Sequence, residues 1–371
     1  MRFHSRIVSL SLFVILLASC LDSTRTSLNR SAQEYLLDWK NGERGSCDVH
    51  LHKYFKTSQS ITKFPIQNCL ELHYLRKDSL SEDVADLIGV QGIELPESLT
   101  DIAGIEQMKG LFSLDLYREG KYRATPVDLS PIWSLSSLRY LSINTEAYIG
   151  DDAFDGVSKL SELETLQLGW PYQKLPELSG LTKLKNLYMH GDGPLDLDGI
   201  NELPRLEYLY LSSRGGDLDL TGLSNASDLK ELDLSCTSIS DLAPIATLSN
   251  LRRLRLSCST FGEIPALARL INLVEIDISE TDVEDISSLA GLQRLTHLSI
   301  ADTNVRDLSP LKTLTTLEYL DMEGLEHLDL SPLLKLRNLK NVSGVWEDAD
   351  AAQFEKLKAS GVPFTDLQYE Y

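Results

Sequence analysis

The strongest constraint on the fold is a phrase of leucines that recurs every 22 residues, without a gap, from Leu229 onward. Successive units begin at Leu229, Leu251, Leu273, Leu295, Leu317 and Leu339, and the first five open as L-x-x-L-x-L, with Ile or Met replacing some later leucines. The first leucine of each unit is numbered position 1 below. One unit is too short to bury its own apolar residues, so stacked units must share a continuous core. The repeat therefore predicts a solenoid.

Two spacings of apolar residues within each unit predict two conformations. Positions 4 and 6 alternate with polar residues, which is the period of a β-strand. Positions 14, 17 and 20, such as Leu242, Ile245 and Leu248, are three residues apart, which favours a 3₁₀-like turn over a full α-helix. An acid at position 13, here Asp241, can accept the free N–H groups that open such a turn.

The phrases TSISDLAPI at 237–245 and TNVRDLSPL at 303–311 resemble the 22-residue leucine-rich repeats of bacterial internalin-like proteins. The resemblance continues upstream, with looser spacing, through units that begin at Leu206, Leu184, Leu163, Leu138 and Leu111, and a weaker unit near Val90. It implies an α/β solenoid, a leucine-rich repeat horseshoe with a parallel sheet on its concave side and mostly 3₁₀ or short turns on its convex side. We expect the repeats to occupy 90–345, between an N-terminal cap region at 31–89 and a C-terminal cap at 346–371.

The C-terminal cap is expected to contain a helix, because a terminal repeat would otherwise expose half of its core. Asp348 or Asp350 can N-cap a helix over 351–359, and Gly361 follows its end. Phe354 and Leu357 would then pack over the last repeat.

The first twenty residues read as an export signal. Two arginines precede an apolar run at 7–18 that is too short to span a bilayer but suits a signal peptide. The tetrapeptide LASC at 17–20 resembles a bacterial lipobox, which implies cleavage after residue 19, a diacylglycerol on Cys20 and a lipidated tether at 20–30. By the same resemblance, Leu21 implies sorting to the outer membrane. The alternative is an ordinary secretory signal followed by a chance cysteine.

The remaining four cysteines predict two disulfides in the oxidising compartment that export implies. Cys236 and Cys258 both occupy position 8 of adjacent units, so their Cα atoms should lie about one strand spacing apart, within the ~4.4–6.8 Å that a disulfide needs. Cys47 and Cys69 fall in the N-terminal cap, where cysteines of exported leucine-rich repeat proteins often pair, so that resemblance implies a second bond.

Charge and motifs argue against several functions. The net charge of −20 disfavours nucleic acid, and it disfavours a membrane surface except through the lipid anchor. Catalytic signatures and phosphate-binding loops are absent from the sequence, so we predict that the chain is not an enzyme. Cys47, His50 and His52 form a loose C-x-x-H-x-H cluster, but a clear fourth zinc ligand is missing. We therefore expect neither a metal nor a cofactor.

The candidate site is the concave sheet, where positions 3, 5 and 7 should project. Its N-terminal half carries an aromatic set that we interpret as a partner-binding patch, since Tyr and Trp supply large, stiff contact area: Tyr117, Tyr140, Trp170, Tyr188, His190, Tyr208 and Tyr210. The alternative is that neighbouring rings only stack along the sheet. Further on, Arg253 and Arg255 stand between acidic repeats, and we expect them to pair with acids on both sides.

These observations predict a monomeric, non-enzymatic binding protein of the bacterial envelope whose concave face recognises a protein. The variants left open are an adhesion protein, or an immunity-type inhibitor that covers a basic toxin. The rival from another class is a structural or envelope-assembly lipoprotein that binds glycan or peptidoglycan. A eukaryotic origin would make Asn225 and Asn341 glycosylation acceptors, but the lipobox argues against it.

Overall fold

The computed structural model describes eleven segments of the chain. They are residues 70–71, 92–95, 102–118, 127–145, 153–170, 176–191, 197–213, 216–224, 226–344, 351–361 and 364–365. The chain divides into two compact units, Met1–Leu168 and Gly169–Tyr371.

The first unit contains parallel strands that follow one another in chain order. They are β1 (Leu70–Glu71), β2 (Gly92–Leu95), β3 (Ser113–Arg118) and β4 (Tyr140–Thr145). Short 3₁₀ helices follow β2, β3 and β4, at Ile105–Gln107, Ser130–Ser134 and Val157–Lys159. Strand β5 (Thr165–Trp170) contains the boundary between the units.

The second unit repeats the same coil with greater regularity. Its main strands pair in parallel, in the order β6 (Asn186–Gly191), β7 (Tyr208–Ser213), β9 (Glu231–Asp233), β11 (Arg253–Arg255), β12 (Glu275–Asp277), β13 (His297–Ser299), β14 (Tyr319–Asp321), β15 (Asn341–Ser343) and β16 (Phe364–Thr365). Strands β8 (Asp217–Leu218) and β10 (Ser238–Ile239) form a separate parallel pair. The 3₁₀ helices are Ile200–Glu202, Thr221–Leu223, Ala243–Thr247, Pro265–Arg269, Ser287–Gly291, Ser309–Thr313 and Ser331–Lys335. The predicted parallel sheet and 3₁₀ turns are confirmed.

The predicted apolar positions form the core. In the unit that begins at Leu295, positions 1, 4 and 6 are fully or almost fully buried, and so are positions 14, 17 and 20. The polar residues between them, such as His297 and Arg306, are exposed. Each coil thus contributes one apolar layer, which the next coil covers.

The acid at position 13 fixes the start of the 3₁₀ turn, as predicted. The backbone N–H of Ala243 donates to Oδ1 of Asp241 at 2.8 Å, and that of Ser309 donates to Asp307 at the same distance. Equivalent bonds form at Asp285 and Asp329. These bonds satisfy N–H groups that have no partner within so short a helix.

Position 8 has left-handed backbone geometry in five consecutive units. The φ angles are 55° at Cys236, 55° at Cys258, 56° at Glu280, 51° at Asp302 and 75° at Gly324. Only glycine adopts such angles without a steric cost. In four of these five repeats, the residue at the tight bend after the strand is therefore not glycine and adopts this conformation at a steric cost. Cys236 and Cys258 form the predicted disulfide across two of these bends, with their Cα atoms 4.5 Å apart.

Position 9 carries buried hydroxyl groups that hold neighbouring coils together. The Oγ of Ser259 donates to the carbonyl of Leu234 at 2.7 Å and accepts a hydrogen bond from the N–H of Thr237 at 3.2 Å. Thr237 and Ser259 are 2% and 3% exposed. The hydroxyl of Ser259 thus satisfies the N–H of Thr237 and the carbonyl of Leu234, beside backbone bonds such as that from Cys236 N–H to the carbonyl of Ser257.

The C-terminal end contains helix α1 (Ala351–Ala359), over the predicted residues. Leu357 of this helix is 1% exposed, and Gly361 follows it with a φ of 83°. The helix lies against the last 3₁₀ turn, Ser331–Lys335. Several predictions concern residues outside the described part of the chain: the signal segment, the lipidation of Cys20, the disulfide between Cys47 and Cys69, the histidines beside Cys47, and Asn225. These remain predictions, and so do the domain limits.

Candidate protein-binding face

In each repeat of the second compact unit, the side chains at positions 3 and 5 project away from the core. We call the surface that they form the open face. It runs from Asn186 and Tyr188 on β6 to Asn341 and Ser343 on β15. In each strand the residue between them is buried. The alternation predicted from the sequence is thus present, and it leaves one side of the sheet uncovered by the rest of the described chain.

The predicted aromatic residues are divided between the two units. Tyr188, His190, Tyr208 and Tyr210 lie together on β6 and β7, and all four are half-buried. Tyr140 begins β4 in the first unit and is also half-buried. Tyr117 and Trp170 lie in β3 and β5, but their side chains are outside the described part of the structure. The site that can be described is therefore the group on β6 and β7.

Tyr188, Tyr208 and Tyr210 form a tyrosine cluster. The ring centroid of Tyr188 lies 4.8 Å from that of Tyr208 and 6.5 Å from that of Tyr210, with tilted planes. Burial, followed by the neighbouring Tyr188 and Asp233, raises the pKa of Tyr208 to about 12. Burial and Glu231 also raise the pKa of Tyr188. Both hydroxyls therefore remain protonated at neutral pH and can donate hydrogen bonds.

The neighbouring strands β9, β11 and β12 carry an ion-pair grid. Arg253 pairs with Glu231 on one side, and on the other its Nε lies 3.2 Å from Oε2 of Glu275. Arg255 lies 3.9 Å from Asp233 and 2.7 Å from Oε1 of Glu275. The prediction that both arginines pair with acids on both sides is confirmed.

Backbone register sets this grid, with one departure. Arg253 lies opposite Glu231 and Glu275, whereas Arg255 lies opposite Asp233 and Asp277. Asp277 instead accepts hydrogen bonds from the N–H and hydroxyl of Ser279, at 3.0 and 2.6 Å. Arg255 reaches diagonally to Glu275. Burial lowers the pKa of Arg255, but the hydrogen bond and charge of Glu275, together with Asp233 and Tyr208, raise it overall.

A second aromatic pair on the open face was not singled out from the sequence. His297 and Tyr319 stack with ring centroids 4.5 Å apart and planes 14° apart. They border a hollow of about 290 Å³ that is also lined by Glu275, Asp277 and Asp321. The signal was available, because both residues occupy position 3 of adjacent units.

Metal-binding clusters and membrane-spanning helices are both lacking from the described residues. Within them, groups of three or more His, Cys, Asp or Glu side chains placed to hold a metal ion are lacking. In the same part of the chain, helices with the length and apolar character to cross a bilayer are also lacking.

Two solved structures of bacterial proteins are similar to this chain. An internalin from Listeria monocytogenes is 24% identical with a TM-score of 0.58, and the match covers 77% of this chain and 85% of that one. A leucine-rich repeat protein of Leptospira interrogans is 19% identical with a TM-score of 0.65, covering 78% of this chain and 75% of that one. The chain has the leucine-rich repeat fold.

Sequence relationships are weaker than the structural ones. Protein-family models were searched, and none matches the chain. Receptor like protein 21 of Arabidopsis thaliana is 29% identical over 130 residues, which are 32% of this chain and 13% of that protein. The chain thus spans a small part of this relative, and the comparison bears on the repeat rather than on the whole protein.

Proposed function

We propose that this leucine-rich repeat chain is a non-enzymatic lipoprotein of the bacterial envelope that binds a protein partner on its open face. The observation that carries the proposal is the tyrosine cluster beside the ion-pair grid. Tyrosine rings provide contact area at low entropic cost, and fixed charges provide register and specificity. Their combination on an uncovered sheet suits a macromolecule better than a small ligand, which favours an enclosed pocket.

The hollow beside His297 and Tyr319 favours a basic group on that partner. Its aromatic wall and the carboxylates of Asp277 and Asp321 can receive a Lys or Arg side chain through charge and cation–π attraction. This chemistry suits either an adhesion receptor or a basic toxin held by an immunity-type inhibitor.

Capture of the partner tests the role of the open face. The full-length protein, tagged at its C-terminus, would be crosslinked in the membranes of its own cells. The variant Tyr188→Ala/Tyr208→Ala/Tyr210→Ala is expected to lose the crosslinked partner while keeping its circular dichroism spectrum. A control removes two exposed apolar side chains elsewhere, Ile271→Ala and Leu334→Ala, which are 61% and 40% exposed. Equal capture by all three proteins would reject the open face as the binding site.

Lipidation is tested separately. The sequence LASC supports a thioether-linked diacylglycerol on Cys20. Metabolic labelling with radioactive palmitate should mark the wild-type chain, and Cys20→Ser should lose the label and leave the membrane fraction. A labelled Cys20→Ser protein would show that another residue carries the lipid.

A further inference from the structure

A second surface of the same unit has the opposite charge to the chain as a whole. Immediately before the strands begin, a groove of about 650 Å³ runs along one edge of the sheet. Its lining includes five cationic side chains: Lys185, Arg205, Lys230, Arg252 and Arg294. We call it the basic edge groove.

The groove keeps an unbalanced positive charge. The three arginines Arg205, Arg252 and Arg294 outnumber the two acids of the lining, Glu207 and Asp228, in a chain of net charge −20. Glu207 is paired with Lys230 at 2.8 Å. The guanidinium groups of Arg205, Arg252 and Arg294 are exposed and form no ion pair with the other described residues.

The length of the groove fits an extended chain. Lys185 precedes β6 and Arg294 precedes β13, so five strand spacings separate them, or roughly 24 Å. An extended peptide rises about 3.3 Å per residue, so about seven residues would fill this length.

Two asparagine side chains in the lining favour a peptide over other polyanions. The Nδ2 of Asn250 donates to the carbonyl of Ser227, and that of Asn272 donates to the carbonyl of Ser249, both at 2.8 Å. Each amide is thereby fixed with its Oδ1 as an acceptor, and no donor among the described residues uses it. Peptide N–H groups can donate to these oxygens, whereas a polyphosphate has no such donor at neutral pH.

We propose that the basic edge groove binds an extended, acidic peptide segment of about seven residues. Carboxylates of the peptide pair with Arg205, Arg252 and Arg294, and its backbone N–H groups donate to Asn250 and Asn272. The remaining negative charge of the protein repels long polyanions, whose charge would extend beyond the local positive field at a screening length of about 8 Å.

The test uses the full-length protein in detergent and an array of decapeptides. Each peptide carries three glutamates, in every arrangement, on a Gly/Ser background, and the best binder is titrated by fluorescence anisotropy. The variant Arg252→Glu/Arg294→Glu is expected to raise its Kd at least about tenfold. The control Arg306→Glu/Arg337→Glu makes the same charge change at exposed arginines outside the groove, and it should alter the Kd less than about threefold.

The other outcomes overturn the proposal. These are the absence of binding across the array, an equal loss in both double variants, or tighter binding of a thymidine decanucleotide or phosphatidylglycerol vesicles than of any peptide. The triple tyrosine variant should keep peptide binding, because the groove and the open face use different side chains. Failure of one proposal therefore leaves the other standing.

Discussion

Arg255 donates a 2.7 Å hydrogen bond to Oε1 of Glu275, although the backbone register places Arg255 opposite Asp277, two residues further along β12. The other oxygen of Glu275 lies 3.2 Å from Nε of Arg253. One carboxylate therefore joins both arginines of the neighbouring strand. Glu275 is the centre of the ion-pair grid.

The diagonal pair formed by Arg255 and Glu275 should make a small but measurable contribution to the stability of the fold. We expect Arg255→Ala and Glu275→Ala to show a coupling energy of about 0.5–1 kcal/mol in a double-mutant cycle measured by urea unfolding. The side chains are 34% and 27% exposed, which limits the screening of their charges by water.

The pair between Lys340 and Glu318 is the control for this cycle. Its side chains are 57% and 30% exposed, so its coupling should be weaker than that of Arg255 and Glu275. Equal coupling in the two pairs would show that the diagonal contact adds nothing beyond an ordinary surface pair.

The disulfide between Cys236 and Cys258 should stabilise the second unit. It closes a loop with a sequence separation of 22, for which loss of unfolded-state entropy predicts about 3 kcal/mol. Cys236→Ser/Cys258→Ser should therefore unfold at lower urea concentration than wild type in non-reducing buffer. In excess reductant the two proteins should unfold together, because the wild type then lacks the bond. A difference that persists in reductant would mean that the substitutions themselves damage the fold.

The repeat made much of this architecture predictable. The separation of the two cysteines equals the repeat length, and the core positions follow from the leucine periods alone. The backbone geometry at position 8 could not be predicted from the sequence in the same way. Its left-handed geometry is signalled in the sequence by Gly324, whereas Cys236, Glu280 and Asp302 adopt it despite their side chains. The surrounding coil imposes that geometry, so residue type does not reveal it.

The candidate binding surfaces were predictable to different degrees. The tyrosine cluster could be found because its residues share strand positions. The diagonal reach of Arg255 could not, since the backbone register places Arg255 opposite Asp277 rather than Glu275. The basic edge groove combines residues just before and just after position 1 of several repeats, and its three arginines do not share one repeat position.

Glycine avoids backbone strain at one position and is optional at another, which gives a matched pair of substitutions. Gly324→Ala should destabilise the protein by more than about 1 kcal/mol, because φ is 75° and a Cβ would lie 2.0 Å from Oδ1 of Asp302. Gly291→Ala places the same methyl group where nothing lies within 4 Å, so it should be neutral or stabilise by up to about 1 kcal/mol. Urea unfolding of both variants checks this, and a Gly324→Ala protein as stable as wild type would contradict the steric argument.

The tyrosine cluster should titrate abnormally. The pKa of Tyr208 is raised from 10.0 to about 12, first by burial and then by Tyr188 and Asp233, while Arg255 lowers it. Because the folded state holds this proton more tightly, its contribution to stability is complete below pH 10 and is lost as the pH rises toward about 12. The tyrosinate absorbance that Tyr208→Phe removes should therefore appear near pH 12 in the folded protein and near pH 10 in urea. Arg255→Ala should move the folded midpoint higher still. A folded midpoint near pH 10 would show that Tyr208 is solvated and that the cluster does not exist in solution.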